Sequence, residues 1–463
     1  MDRTRRWRIL LVGKLDLMNF LFGPRRSHAT TGALQLLCSL LPGFVLSLRG
    51  GPVEVRDALS QPVEVSLAQA QQMALERNWD LLASAAGVDL AMAQRVVAKE
   101  FPNPTLSVST AKINVDNHSA GTSEGNGVWD RSYDTIVAVN QLFEIGGKRK
   151  NRKASTTAGY EAARAQFLDA KRTLDLAVSK AYATAAQADE NSRVLSQSAA
   201  SLRKEAGLAE VRLNAGEIST ADKSQIDITA ARFELDAGAA ESAAAQARVA
   251  LEVLLGARRA EGKLVLTEKL EALCSNAPPM EASHFVGRRP DVVAAEATLR
   301  KAEADLRLQK ANRIPDPTVL AQYEHEPPDQ PNTIGVGVSL PIPLWNRNQG
   351  NILAAEATRQ QAKLALEKLD AQAAAEVATA RLAYEDAARR WKEYREVIAP
   401  KSEHIRETVA FAYEKGGSSL LDLLVAERND NDVRLAAAQA ASDLAVASAA
   451  LKAATTSVRE SKH

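Results

Sequence analysis

Gly216-Glu-Ile-Ser219-Thr-Ala-Asp222 and Gly416-Gly-Ser-Ser419-Leu-Leu-Asp422 are one turn written twice. Each has a glycine, then a Ser-x-x-Asp pair, then an Ala- and Leu-rich run. Glycine accepts the left-handed backbone that ends a helix. A serine three residues before an acid makes a reciprocal cap that starts the next one. The two copies lie about 200 residues apart, far beyond the period of a solenoid.

The sequence on either side of these turns is duplicated too. Lys148 to Leu213 contains no proline, and Phe167, Leu174, Val178 and Ala181 fall near one helical stripe. At 1.5 Å per residue this run spans about 100 Å, a length that coiled coils and helical tubes hold and compact domains do not. Its counterpart is Asn351 to Lys415, with Pro400 predicted to kink it. After the turns, helices are predicted from Ser219 to Leu255-Gly256 and from Ser419 to about Val458.

Upstream, Phe101-Pro-Asn-Pro104 and Ile314-Pro-Asp-Pro317 each follow a helix, over 66–100 with Ser66 as N-cap and from Pro290 to about Arg313. Each opens a pair of strands: Thr105–Ile113 and Tyr133–Phe143, then Thr318–Glu324 and Thr333–Leu340. In the last strand Ile334, Val336, Val338 and Leu340 lie on one face and Gly335, Gly337 and Ser339 on the other, a pattern shared by a strand between lipid and a lumen and by a strand of a soluble sandwich. The loop over 114–131 accounts for the wider spacing of the proline pairs than of the turns, as expected of a surface tip.

The chain therefore reads as mainly α with a small β part and an internal duplication. The predicted segments are a targeting stretch over 1–48, a first repeat over 63–256, a linker over 257–285 containing Pro278-Pro279, and a second repeat over 286–458. Arg25-Arg26 before the apolar run Gly32 to Leu48 has the form of an export signal. Leu37 before Cys38 argues against lipidation there, and no other segment qualifies as a transmembrane helix. Four strands are too few to close a membrane barrel, which usually needs at least about 8. If the strands span a membrane, several chains must share one barrel.

Composition narrows the function. Charged residues are 25% of 463 and the net charge is +1, so no strong electrostatic pull toward nucleic acid follows. Aromatics are only 5%, so the helical runs must pack through alanine. Cys38 and Cys274 make no disulfide framework once the signal is removed. No phosphate loop, GxSxG or HExxH is present, so no enzyme and no cofactor is expected.

Three stretches resemble the TolC-type outer-membrane efflux proteins: Ala412-Tyr-Glu-Lys-Gly-Gly-Ser-Ser-Leu-Leu-Asp-Leu-Leu-Val-Ala-Glu-Arg428, Arg289-Pro-Asp-Val with Leu306 to Pro317, and Gln141-Leu-Phe-Glu-Ile-Gly-Gly-Lys-Arg149. Within that family, Leu340-Pro-Ile-Pro-Leu-Trp-Asn-Arg-Asn-Gln-Gly350 and Glu144-Ile-Gly-Gly-Lys-Arg149 are similar to the heavy-metal (cobalt–zinc–cadmium and copper–silver) efflux members. The resemblance covers nearly all of 63–458 and implies a homotrimer. Each chain would give four strands to one twelve-stranded transmembrane β-barrel and its helices to a long periplasmic α-helical barrel. It implies an exit duct for heavy-metal cations in the outer membrane of a Gram-negative bacterium. A periplasmic adaptor would join the duct to an inner-membrane transporter of the RND type. A duct for drug or type I protein export, or a periplasmic coiled-coil adaptor, are the alternatives.

The resemblance also assigns roles to residues. Asp222 and Tyr413 match a carboxylate–tyrosine pair that holds the tip closed, and Asp422 matches a carboxylate ringing the entrance. Ser418 stands where an arginine of the closing network is usual, and Val425 where a second ring acid is usual. Both acids are equally read as helix caps. The turns with Gly216, Ser219, Gly416, Gly417 and Ser419 are the expected adaptor contacts. Glu324-His325-Glu326 reads as a solvated strand end, since neighbouring strand residues cannot all face one ion, and no metal site is expected.

Overall fold

The computed structural model describes residues 64–111, 134–275, 289–326 and 330–457. The signal stretch with Cys38, the 114–131 loop and Pro278-Pro279 lie outside them. The chain divides into units of residues 1–55 and 56–463, and the described residues belong to the second.

β1 (Glu64–Val65) leads into α1 (Leu67–Arg77), which starts on a full capping box between Ser66 and Gln69. The single helix predicted over 66–100 is two. Asn78 adopts an extended backbone and caps α2 (Trp79–Val97), accepting from the amides of Asp80 and Leu81. Its amide nitrogen also donates to Leu254 O at 3.0 Å. Asn competes for backbone bonds and favours such caps.

β2 (Thr105–Ala111) and β3 (Asp134–Leu142) precede α3 (Lys148–Asn214), which is 67 residues long. α4 (Thr220–Leu254) returns antiparallel along it. The segment predicted as a linker carries structure: β4 (Val265–Leu266) pairs in parallel with β1, and α5 (Leu270–Ser275) follows. The buried Tyr182 hydroxyl ties this belt to α3, donating to Val65 O at 3.0 Å and accepting from the Glu268 amide at 3.3 Å. Around it lies the main core, with Leu174 and Val178 of α3, Leu251 and Leu255, Leu264, Leu270 and Leu273.

The second half repeats the first with α6 (Pro290–Ala311), β5 (Thr318–Glu326), β6 (Gln330–Ser339), α7 (Gln349–Glu393), α8 (Ala399–Glu414) and α9 (Leu420–Thr455). Between α7 and α8, Tyr394–Ile398 form a π turn, where the Ala399 amide bonds back to Tyr394 O. Pro400 lacks an N–H and cannot continue the α ladder, so the predicted kink is accommodated by widening one turn ahead of the proline.

The four strands form one antiparallel sheet in the order β2-β3-β5-β6. Cross-strand partners share a face. Leu106, Val139, Ala321 and Val336 are joined in one row, and Val108, Val137, Tyr323 and Ile334 in the next. The opposite face carries Ser107, Ala138, Gln322 and Gly335. β6 is therefore the edge of a four-strand pattern, apolar on one side and mainly small or polar on the other, where Ile136, Leu142 and Leu320 are the large apolar residues. Leu340 lies just past the end of β6.

Helices α3, α4 and α8 end alike. In each, the glycine amide bonds back three residues and the next amide five, as in Gly256 to Val253 O and Ala257 to Glu252 O. This is the Schellman arrangement, with φ of +76° at Gly216, +81° at Gly256 and +78° at Gly416. A Cβ on Gly216 or Gly416 would meet open space, whereas one on Gly256 would lie 2.3 Å from Arg77 O. Alanine at Gly216 or Gly416 is expected to cost about 1 kcal/mol of backbone strain. Gly256→Ala must also push α1 away, so its thermal midpoint by circular dichroism should fall clearly further than that of Gly216→Ala.

Candidate functional site

The two hairpin tips are built by the same bonds. Ser219 Oγ accepts from the Asp222 amide at 3.1 Å and Ser419 Oγ from the Asp422 amide at 3.2 Å. Each aspartate answers by accepting from its serine's amide, at 3.2 and 3.1 Å. Asp222 and Asp422 thus sit on the first turns of α4 and α9, where the helix dipole favours an anion.

The tips touch each other through apolar contacts. Leu202, Ala206 and Ala209 of α3, Ile226, Ala230 and Phe233 of α4, and Leu424 of α9 make one cluster, with Leu420 packed on it. At its rim the Arg212 guanidinium lies 4.8 Å from the centre of the buried Tyr413 ring and donates to Glu414 O at 3.3 Å. Within the chain, Tyr413 is held by Arg212 and Asp222 by Ser219. The structure does not bring Asp222 and Tyr413 together in a bond. Arg212 was not singled out from the sequence. Its position in the last turn of α3, where cations suit the dipole, is a cue to capping but not to its partner on α8.

Behind the tip lies a polar cluster that sequence reading also missed. Asp430 is 4% exposed, and its Oδ2 accepts from Arg406 at 3.2 Å and Arg434 at 2.8 Å. Glu427 lies beside Arg406, and burial pushes its carboxyl up despite that cation. Asn431 accepts from Ser198 at 3.2 Å, tying α9 to α3. In sequence these acids look like one solvated helical face. Only the approach of α8 and α3 buries them.

At the sheet, Ile334 and Val336 are each 85% exposed, and Val338 and Leu340 are exposed too. Glu324 faces Thr333 and Ile136, while the next residue, His325, pairs with Thr135 on the other face. Among the described residues no group of three or more His, Cys, Asp or Glu is placed to hold a metal ion. The Cys274 thiol is pushed up to about 11 by burial and faces Ala441 O at 3.3 Å. Among the same residues no helix is long and apolar enough to cross a membrane.

Residues 70–257 and 283–457 match the model of the outer membrane efflux proteins. The chain belongs to the outer membrane efflux protein family. Among its relatives is the cobalt-zinc-cadmium resistance protein CzcC of Cupriavidus metallidurans, 25% identical, with 81% of this chain and 86% of that protein covered. Another is the nickel-cobalt-cadmium resistance protein NccC of Alcaligenes xylosoxydans xylosoxydans, 26% identical over 74% of each chain. The fold matches crystal structures of CusC, described in terms of transmembrane channel formation, with a TM-score of 0.68 at 19% identity, covering 87% of this chain and 96% of that one. The mostly helical architecture is that of the TolC-like channels.

The Ser419 hydroxyl and amide, with Ser418 adding, hold the Asp422 carboxyl below the usual carboxylate range. A depressed value means the cap is complete above the ordinary carboxyl pKa of about 3.9 and is lost as pH falls through Asp422's own lower value. Hydrogen exchange at the Ser419 amide, which donates to that carboxylate, corrected for intrinsic rate, should therefore accelerate only in that acid window. Ser419→Ala should quicken exchange at the Asp422 amide, which donates to Ser419 Oγ, roughly fivefold at neutral pH, as expected for a lost cap, and Asp422→Asn should abolish the acid step at Ser419.

Proposed function

We propose that three copies of this chain form the outer-membrane exit duct of a tripartite efflux system whose cargo is heavy-metal cations. The observation that carries this reading is the open sheet. Its apolar face is exposed along four strands, and β2 and β6 leave unpaired edges. An exposed apolar face with open edges is an association surface. Closing four-stranded sheets edge to edge into a twelve-stranded barrel satisfies both edges and turns the apolar faces to lipid.

The helices support the same assembly. α7 is 45 residues long and its buried residues are Ala373 and Ala387, while Leu353, Leu364 and Leu382 are exposed. A helix that buries so little is completed by neighbours. In the trimer the repeats over 63–256 and 286–458 would alternate around a periplasmic helical barrel. The tips would close its entrance, with Asp422 from three chains forming a carboxylate ring and Asp222 and Tyr413 contributing to closure. The turns around Gly216, Ser219, Gly416, Gly417 and Ser419 would receive a periplasmic adaptor, which links the duct to an inner-membrane RND transporter.

The metal cargo is carried over from relatives named for cobalt, zinc, cadmium and nickel resistance. On this reading the duct contributes charge and passage, and selection belongs to the transporter. A ring of three carboxylates raises local cation concentration.

Conductance across a planar lipid bilayer tests the reading. The purified chain should give discrete single-channel steps, and Asp422→Ala should lower the cation-over-anion permeability ratio about twofold or more. Failure to insert would defeat the duct. Steps with unchanged selectivity would leave Asp422 as a cap alone.

A further inference from the structure

We propose that the strand–helix junctions form a two-layer collar whose cations bind the headgroup phosphates of anionic phospholipids in the periplasmic leaflet of the outer membrane. This rests on the duct reading above, and adds to it a lipid class and the residues that recognise it.

The first layer is apolar. All four strands meet their helices at the same end of the sheet. There, beyond the last ladder bonds, stand Phe101, Phe143, Ile314, Ile342, Leu344 and Trp345, all exposed, Trp345 at 87%. They add exposed apolar surface at this end of the sheet, past its hydrogen-bonded part. Aromatic side chains in this position match the interface of a bilayer, where one end of the ring is apolar and the other wet.

The second layer is basic and follows within a few residues at every junction. Lys99 precedes Phe101, Lys150 and Lys153 follow Ile145, Lys310 and Arg313 precede Ile314, and Arg347 follows Trp345. All six are exposed, and none has an acidic partner among the described residues. The acids at this level are largely taken: Glu144 by Arg152 at 2.5 Å and Asp316 by Lys148 at 2.8 Å, leaving Glu100. The layers are in contact, since Arg149 lies 3.7 Å over the Phe101 ring while donating to Lys99 O at 2.9 Å.

The solvated-surface explanation fails on placement. Lys99, Lys310 and Arg313 lie at helix C-termini, where the dipole favours cations. Lys150 and Lys153 lie in the first turns of α3, and Arg347 just before α7, where the dipole opposes them. Cations there gain from an external anion. At the tips, by contrast, Lys223 is paired with Glu210 and Asp227, and Lys415 with Glu414. A row of unpaired cations one step from an apolar belt complements the phosphates that lie just outside the acyl region, and long Lys and Arg side chains reach that level while their stems stay in the belt.

Quenching of Trp345 by brominated lipids reads this contact. The full chain and its Trp345→Phe variant are reconstituted in vesicles of phosphatidylcholine with either brominated phosphatidylglycerol or brominated phosphatidylcholine. The difference signal isolates Trp345. Phosphatidylglycerol should be preferred by about threefold or more. Lys150→Gln/Lys153→Gln/Arg347→Gln should bring the preference to about one, while Lys150→Arg/Lys153→Arg/Arg347→Lys keeps it. An excess of inorganic phosphate should leave it in place. Equal quenching by both lipids, a preference that survives the glutamine variant, or erasure by inorganic phosphate each overturns the collar and leaves the duct standing. Absence of quenching by either lipid overturns the collar and removes the duct's membrane placement with it.

Discussion

A sheet of four strands that is apolar on one face and open at both edges cannot remain alone in water. Every β-strand edge carries a row of unpaired N–H and C=O groups, and here the face between the edges is lined by Leu106, Val108, Val139, Val319, Ile334 and Val336. The residues of β6 opposite, Gly335, Gly337 and Ser339, are small and leave that side of the strand open. The rest of the chain follows from this constraint. The strands must be held in register from outside the sheet, and the helices that enter and leave them do so. Phe143 N–H bonds Pro317 O at 2.9 Å, and Asp316 both pairs with Lys148 and accepts from the Ile145 amide, so the second-repeat strand is pinned to the first-repeat helix at the sheet's base.

The helices face a related problem. Most of their stability comes from packing rather than from local propensity, yet they contain few large side chains. Alanine lets α3, α4, α6 and α9 approach closely, and larger residues are concentrated at two levels. One is the belt around Tyr182, where β1, β4 and α5 wrap the bundle. The other is the tip, where Leu202, Ile226 and Phe233 meet Leu424. Between these levels, ion pairs and single hydrogen bonds such as Ser198 to Asn431 set the register. The buried Arg289, paired with Asp291 and reaching Glu376 at 2.8 Å, does the same for α6 and α7. Breaking one member of so buried a group leaves a charge without compensation.

What was legible in the sequence was what depends on neighbours along the chain. The Ser-x-x-Asp caps, the Schellman glycines, the alternation of β6 and the length of α3 all follow from residues within a few positions of each other, and the duplication reinforced each reading. What was hidden depends on distant pairs. Asn78 breaks a helix because Leu254 O waits for its amide. The linker folds because Glu252, 4% exposed, accepts from the amides of Glu261, Gly262 and Leu264 and turns the chain back so that β4 can meet β1. Arg212 reaches Tyr413 across some 200 residues, a contact no local pattern encodes. The widened turn at Tyr394–Ile398 was foreseen only as a kink, because a proline specifies an interruption but not which carbonyl is released.

The two ends of the long helices differ in charge for one physical reason. At the tips, α4 and α9 begin with a serine cap and an aspartate, so each N-terminus is neutralised within the chain. At the sheet end, α3 and α7 begin at Gly147 and Asn348, both in the left-handed conformation, with no side-chain cap and no acid in the first turn. The left-handed residue is what a strand needs to turn directly into a helix over a short connection, and Asn tolerates it at φ +61° where most side chains do not. A capping serine needs an extended backbone instead. The geometry that lets a strand run straight into a helix therefore removes the capping anion from the helix start nearest the sheet. The helix N-termini are thus capped by acids at the tips and uncapped at the sheet, which is the polarity a duct standing in a phosphate-lined bilayer can use.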